Sequence, residues 1–297
     1  MPAISVRLWL RVALLVLVTL AAPAGAGEAV LYERPSLFGS IIVTEDENGL
    51  RILRFERYGA RQSVVKPGDP EYLELPYAQV AMVGLALCEE PRRFLVVGLG
   101  GGTLPMFLRK HYPHAAIDAV DIDPQIVQVA KQFFSFREDD LLRAHVGDGR
   151  QFIEKAREQY DAIFLDAYGA EAVPAHLTTQ EFLQAVRRAV KPGGVVVGNI
   201  WARGSNPLYD SMVRTYQEVF DELFILAVRG TGNRILIALP RRQPLTREAL
   251  AQLARGVSST KKFRFDLGDL VTNGYSRARE KNRDGHVLRD AVPGRPQ

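Results

Sequence analysis

The stretch Phe94-Leu-Val-Val-Gly-Leu-Gly-Gly-Gly-Thr103 decides the fold of this chain. Its apolar start predicts a buried strand, and the loop that follows contains Gly98, Gly100, Gly101 and Gly102. A glycine-rich loop lets the backbone approach a ligand where a Cβ atom would collide, and such a loop commonly leads into a helix N-terminus. The stretch therefore predicts one half of a nucleoside-binding site at the end of a strand.

An acidic residue follows at the spacing that the other half of such a site requires. Asp121 lies 23 residues after Gly98, at the end of the segment 116–120. A carboxylate at the end of the second strand can accept hydrogen bonds from both ribose hydroxyls of a nucleoside. Asp123 directly precedes Pro124 and is better placed to cap the next helix.

The pattern around this stretch predicts an α/β fold. Strands and helices alternate from residue 94 onward, which is typical of a mostly parallel, doubly wound sheet covered on both faces. Segments 223–228 and 234–239, joined by a short loop, predict an antiparallel hairpin at the edge of that sheet. Before the sheet, Asn48-Gly49 between β-prone runs predicts a hairpin within a small N-terminal β unit.

The N-terminus predicts a secretory signal peptide. Arg7 and Arg11 precede the apolar run 12–22, and small residues up to Ala26 suit a signal peptidase. The run is shorter than the roughly 20 apolar residues of a transmembrane helix, so we expect no stable membrane span after cleavage. The expected location is periplasmic or otherwise exported, and cytoplasmic or membrane-anchored if the signal is uncleaved. The predicted division is a signal peptide at 1–26, a β domain at 27–70, a nucleoside-binding catalytic domain at 71–245 and a C-terminal helix with an irregular tail at 246–297.

Charge and cysteine content exclude several function classes. Cleavage after Ala26 leaves 36 basic and 34 acidic residues, a net charge of +2, without a basic stripe interleaved with aromatic residues. We therefore expect no nucleic-acid partner. One cysteine, Cys88, permits neither an internal disulfide nor a multi-cysteine metal site. His111 and His114 lack a third ligand in the sequence, so no metal site is predicted.

Further polar groups follow other predicted strands. Asp148 and Gly149 belong to a Gly-Asp-Gly loop, and Asp166 ends the segment 161–165. Ligands of open α/β sheets bind at the carboxyl ends of the strands, so these groups should converge with the glycine loop. The loop has Thr103 where a dinucleotide fingerprint has glycine, and it lacks the lysine of a phosphate-binding loop. A site lined by carboxylates favours a cationic sulfonium nucleoside, S-adenosylmethionine or a relative.

Five successive motifs resemble those of one family. They are the segments 97–104, 120–124, 147–152, 160–166 and 173–177, and the resemblance covers about residues 31–239. By these motifs the chain is similar to the spermidine/spermine synthase family of polyamine aminopropyltransferases, whose core is the Rossmann-like, class I methyltransferase fold.

The resemblance implies roles for the nucleoside site. Asp121 would hold the ribose and Asp148, followed by Gly149, the adenine amino group. The loop from Gly98 to Gly102 would hold the sulfur-bearing tail of decarboxylated S-adenosylmethionine. That nucleoside, or S-adenosylmethionine itself, would be a co-substrate, with no tightly bound cofactor.

The resemblance also implies an amine site. Asp166 would accept a proton from a small-molecule amine such as putrescine, while the amine attacks the carbon next to the sulfonium. Tyr168 would belong to a loop that closes over the substrate, and Gln62 and Tyr77 would line it. The N-terminal hairpin unit would support a homodimer.

The chain departs from the family pattern in the amine half. Gly100 and Gly169 occupy positions where the family has aspartates, and Tyr77-Ala-Gln79 occurs in place of the family's Tyr-His-Glu element. Three hypotheses therefore remain open: an aminopropyltransferase, a small-molecule methyltransferase that uses S-adenosylmethionine, and a non-catalytic exported binding protein on the same fold.

Overall fold

The computed structural model describes residues 27–36, 38–157, 159–169, 172–278 and 280–291 of the chain. The predicted signal peptide at 1–26 lies outside the described residues. Among the helices of the described ranges, none combines the length and the apolar character that crossing a membrane requires.

A four-stranded antiparallel sheet comes first. Its strands lie side by side in chain order and are β1 (Ala29–Ser36), β2 (Gly39–Glu45), β3 (Arg51–Arg54) and β4 (Ser63–Val65). The hairpin predicted at Asn48-Gly49 joins β2 to β3, and Gly49 has the positive φ of 73° that favours glycine in a turn. The small N-terminal β unit is therefore present.

The main sheet has eight strands. They are β5 (Arg93–Val97), β6 (Ala116–Asp121), β7 (Leu142–Val146), β8 (Tyr160–Leu165), β9 (Val190–Trp201), β10 (Glu222–Ala227), β11 (Asn233–Leu239) and β12 (Tyr275–Arg277). Their order across the sheet is β12-β10-β11-β9-β8-β5-β6-β7. The five strands from β9 to β7 are parallel, and β12, β10 and β11 are antiparallel to their neighbours. The predicted doubly wound sheet is confirmed.

The helices cover both faces of this sheet. They are α1 (Pro76–Ala81), α2 (Thr103–His111), α3 (Pro124–Phe133), α4 (Gly149–Glu154), α5 (Gln180–Ala189), α6 (Tyr209–Val219), α7 (Arg247–Lys261) and α8 (Leu267–Gly274), with 3-10 helices at Met82–Leu87 and Ala175–Leu177. Side chains alternate across a strand, so Phe94 and Val96 of β5 pack into one buried cluster and Leu95 and Val97 into the other. This burial on both faces explains why the deciding stretch is continuously apolar.

Two further expectations from the sequence differ in detail from the structure. Apolar residues at helical spacing from Tyr77 to Leu87 predict one helix, but the segment is a short α-helix followed by the 3-10 helix, whose Gly84 packs directly against Val197 of the central sheet. The sequence also favours Thr103 as the N-cap of the helix after the glycine loop, but Thr103 is the first residue of α2, and Gly102 takes the cap position with a φ of 79°. An added Cβ atom at Gly102 would lie 2.6 Å from the ring of Phe136.

The C-terminal segment is more ordered than predicted. Besides the one helix expected, which is α7, it forms α8 and β12, and β12 pairs with β10 outside the predicted edge hairpin. Residues 280–291, which follow, form neither helix nor strand. Leu250 of α7 and Val271 of α8 are buried in the same cluster as Phe94 of β5 and Leu53 of β3. The hydrophobic core is therefore continuous across the predicted domain boundaries at 70/71 and 245/246.

Candidate functional site

The carboxyl ends of β5, β6 and β8 meet at one edge of the sheet. Gly98, Asp121 and Asp166 follow or end these strands, and Asp148 follows β7 at the same edge. All four residues line one cavity with a volume of about 580 Å³. The convergence that parallel strands predict is therefore present.

The glycine loop has the backbone geometry that glycine permits. Gly98 has a φ of 98° and Gly100 a φ of 52°. An added Cβ atom at Gly98 would collide with the backbone carbonyl oxygen of Asp166, and one at Gly100 would lie 2.5 Å from Ser63 Oγ. Ser63 Oγ in turn accepts a hydrogen bond from Gly101 N–H at 2.9 Å. Strand β4 therefore supports the loop from behind.

The predicted glycines divide into two groups. Gly98 and Gly100 line the cavity, as does Gly149, where an added Cβ atom would lie 2.5 Å from Val97. Gly101 and Gly102 pack against the rings of Phe134 and Phe136 and are not among the residues that line the cavity. The structure thus gives Gly101 and Gly102 a role in shaping the loop.

Asp121 is tied to the glycine loop. One carboxylate oxygen accepts from Leu99 N–H at 2.9 Å and the other from Asp123 N–H at 3.0 Å. Burial raises the pKa of Asp121, while the backbone hydrogen bonds act against that rise. Its remaining lone pairs can accept further hydrogen bonds in the cavity. Asp123 caps α3 through Gln125 N–H at 2.8 Å, as the sequence predicted.

Asp148 caps α4 and also bonds to a side chain that the sequence did not single out. Its Oδ1 accepts from Gln151 N–H at 2.9 Å, and its Oδ2 lies 2.8 Å from His176 Nε2. Burial acts to raise the pKa of Asp148, but these hydrogen bonds outweigh it, so the pKa is lowered from its ordinary value. His176 lines the same cavity.

Asp166 is held by two neutral donors. Tyr77 OH donates to Oδ2 at 3.0 Å, and Asn199 Nδ2 donates to Oδ1 at 2.9 Å. Desolvation raises the pKa of Asp166 to about 6, although both hydrogen bonds lower it. Desolvation also raises the pKa of Tyr77 well above its ordinary value, so its hydroxyl stays protonated and donates. Asp166 is therefore a carboxylate that can accept a proton near neutral pH.

Asn199, Asn233 and Trp201 are site residues that sequence reasoning missed. Asn233 Nδ2 donates to Asn199 Oδ1 at 2.9 Å, which orients the Asn199 amide with its nitrogen toward Asp166. Tyr168 OH donates to the backbone carbonyl oxygen of Asn199 at 3.0 Å, and the ring centroids of Tyr168 and Trp201 are 6.2 Å apart. A polar residue in the apolar segment 195–200 was the signal that could have identified Asn199.

The remaining predicted substrate residue is also in the cavity wall. Gln62 lines the cavity, and its backbone N–H donates to Leu53 O at 2.8 Å, which fixes the chain ahead of β4. Gln79, in contrast, donates to Leu73 O at 2.7 Å and does not line the cavity. Tyr77 is therefore the residue of the Tyr77-Ala-Gln79 element that reaches the site.

No group of three or more potential metal-ligating side chains occurs within the described ranges. His111 packs against the rings of Phe107 and Phe263, and its Nδ1 lies 3.1 Å from the Lys261 carbonyl oxygen. This geometry is that of a histidine buried in an aromatic cluster.

Comparisons with known proteins show the family of this chain. Residues 76–223 match the family model described as the spermine/spermidine synthase domain. A polyamine aminopropyltransferase of Vibrio vulnificus is 34% identical over 251 residues, which are 82% of this chain and 83% of that protein. The chain belongs to this family. It is accordingly a transferase of the aminopropyltransferase-like type.

Two solved structures are similar to this spermine/spermidine synthase family member. Human methyltransferase-like protein 13, in complex with SAH, is 32% identical with a TM-score of 0.58, covering 63% of this chain and 93% of that one. A probable spermidine synthase from Corynebacterium glutamicum is 20% identical with a TM-score of 0.70, covering 92% and 99%. Together these likenesses confirm the methyltransferase-type, Rossmann-like fold.

The close approach at Gly98 predicts the effect of a single methyl group. We expect Gly98→Ala to lower the free energy of unfolding by about 1–3 kcal/mol, because its φ is positive and its Cβ atom would displace the Asp166 carbonyl. Nucleoside affinity should fall with it. Urea unfolding and calorimetric titration measure the two effects. Gly193→Ala is the control, since nothing lies within 4 Å of that Cβ position; equal behaviour of the two variants would contradict the prediction.

Proposed function

We propose that the chain transfers an aminopropyl group from decarboxylated S-adenosylmethionine to a small-molecule amine, with Asp166 as the proton acceptor. The observation that carries this proposal is the partly buried Asp166 carboxylate, with a pKa of about 6, in the same cavity as the glycine loop and Asp121. Membership of the spermine/spermidine synthase family supports the transfer reaction.

The nucleoside half of the proposal rests on the carboxylates at the strand ends. Asp121 would accept the ribose hydroxyls, and the aminopropyl tail would lie over the loop at Gly98 and Gly100. Asp148 would accept the adenine amino group. Because His176 already bonds to Asp148 Oδ2, we propose that the bound adenine either replaces His176 or shares this carboxylate with it.

The chemistry requires a group that holds and deprotonates the amine. An ammonium is not a nucleophile, so its proton passes to Asp166 as the amine nitrogen attacks the carbon next to the sulfonium. The new carbon–nitrogen bond forms while the carbon–sulfur bond breaks, and the sulfur leaves with the electron pair as the neutral thioether methylthioadenosine. Tyr77 and Asn199 would hold Asp166 in place through this step.

Methyl transfer from S-adenosylmethionine is the second candidate. The observation that favours it is the likeness to a methyltransferase solved with SAH, which is 32% identical to this chain. The glycine loop also has no acidic side chain. An acidic side chain there would repel the carboxylate that S-adenosylmethionine retains, so its lack favours S-adenosylmethionine.

Competing nucleosides distinguish the two candidates. We expect decarboxylated S-adenosylmethionine to bind more tightly than S-adenosylmethionine in parallel calorimetric titrations of the chain from Gly27 onward, with methylthioadenosine as the product reference. Tighter binding of S-adenosylmethionine would favour methyl transfer instead. Failure of all three nucleosides to bind would exclude both reactions.

Replacing the proposed proton acceptor should abolish most of the turnover. We expect Asp166→Asn to lower kcat about 100- to 10,000-fold, because the amide cannot accept the amine proton. Release of methylthioadenosine measures kcat, and the exposed Asp140→Asn is the matched control with unchanged turnover. A kcat for Asp166→Asn within a few-fold of the natural chain would exclude Asp166 as the base.

Protein stability separates loss of chemistry from loss of folding. The pKa of Asp166 is raised from its ordinary value of 3.8 to about 6 in the folded chain. The stability that protonated Asp166 contributes is therefore fully present below pH 3.8 and is lost as the pH rises through about 6. Asp166→Asn should therefore be no less stable than the natural chain in urea at pH 8.

The same pKa predicts the pH dependence of transfer. The reactive carboxylate is the major form of Asp166 only above about pH 6. At saturating substrate, the rate should fall about tenfold per pH unit below this value and level off about one unit above it. The full rate–pH profile measures this midpoint. A midpoint near the ordinary pKa of an aspartate would contradict the role of desolvation.

A further inference from the structure

The cavity that contains Asp166 has several rings and apolar groups in its wall. Leu75 and Pro76 directly precede Tyr77, whose hydroxyl bonds to Asp166, and both line the cavity. Phe38, which directly precedes β2 and is 49% exposed, and Phe55, which directly follows β3, add aromatic surface to the cavity wall.

The cavity wall next to Asn199 contributes further aromatic and amide groups. Tyr168 and Trp201 line the cavity with their rings inclined at 32°, and the amides of Asn199 and Asn233 bond to each other beside them. These groups are uncharged. The rings present surface that an apolar or aromatic group can cover, and the amide hydrogen bonds hold the wall in place.

The other carboxylates that line the cavity belong to its nucleoside end. Asp121, Asp123 and Asp148 each accept a hydrogen bond from a backbone N–H of the glycine loop or of a helix start. Among the lining residues in the described part of the chain, Asp166 is the carboxylate that remains for an amine. Arg61 also lines the cavity and adds a positive charge, paired with Glu74 at 3.5 Å.

We propose that the acceptor is an amine with a single cationic nitrogen, placed at Asp166, and an uncharged aliphatic or aromatic remainder that packs against Tyr168 and Trp201. This inference rests on the proposed aminopropyl transfer. A second ammonium on the same molecule would leave water without gaining a carboxylate partner. The attraction of an aromatic face for a cation is weaker than the hydration that the cation would lose.

A matched panel of amines tests the inference in the full chain. Putrescine and butylamine have the same four-carbon length and differ in the second nitrogen, and 2-phenylethylamine adds a ring. With decarboxylated S-adenosylmethionine, we expect kcat/KM for both monoamines to exceed that for putrescine by at least about tenfold. A kcat/KM for putrescine equal to or above that for butylamine would overturn the inference.

Installing a second carboxylate provides an independent test. Gly169 lines the cavity, and an added Cβ atom would lie 3.5 Å from the Ala172 carbonyl, an ordinary contact. Gly169→Asp should raise the preference for putrescine over butylamine at least about tenfold, and the isosteric Gly169→Asn should not. An equal preference for putrescine over butylamine in the two variants would contradict the inference that a missing second carboxylate disfavours diamines.

Binding measurements distinguish a wrong acceptor class from a wrong reaction. If no amine yields methylthioadenosine, the proposed transfer fails, and titration of the amines into protein saturated with methylthioadenosine still tests the pocket. Tighter binding of butylamine or 2-phenylethylamine than of putrescine supports one cationic nitrogen. Equal or tighter binding of putrescine, or no binding of either monoamine, overturns it.

Discussion

Two backbone hydrogen bonds at the carboxyl ends of the central strands connect the two halves of the site. Gly98 N–H donates to Val120 O, and Asp166 N–H donates to Val97 O, each at 2.8 Å. They place the start of the glycine loop directly against the Asp166 backbone, an approach that the missing side chain of Gly98 permits. A nucleoside over the loop and a nitrogen at Asp166 would consequently share one cavity.

The environment of each carboxylate then determines its chemical use. Asp121 and Asp148 are fixed by backbone N–H groups and are suited to accept hydrogen bonds from a ligand. Asp166 receives its hydrogen bonds from two neutral side chains, and desolvation raises its pKa to about 6. One edge of the sheet thus combines carboxylates that are fixed by backbone donors with one that can take up a proton near neutral pH.

Elements outside the central sheet hold these groups in position. Ser63 of β4 supports the glycine loop through Gly101 N–H. At the other end of the chain, both Asp290 oxygens accept from Arg150, at 2.7 Å and 2.6 Å, and Arg150 also donates to the His176 carbonyl at 3.3 Å. The irregular C-terminal segment that contains Asp290 is thereby linked to the wall of the cavity beside Asp148.

Local patterns in the sequence predicted the alternation of strands and helices between residues 94 and 239, the glycine loop and the acidic residues at the strand ends. These features are local, because an apolar run, a glycine turn or an N-cap depends on residues only a few positions apart in the sequence. The packing of Gly101 and Gly102 against the core, and the meeting of Tyr77, Asn199 and Asn233 around Asp166, become visible in the folded chain. Those residues belong to α1, β9 and β11, and their meeting depends on the order of strands in the sheet, for which no short stretch of sequence carries a signal.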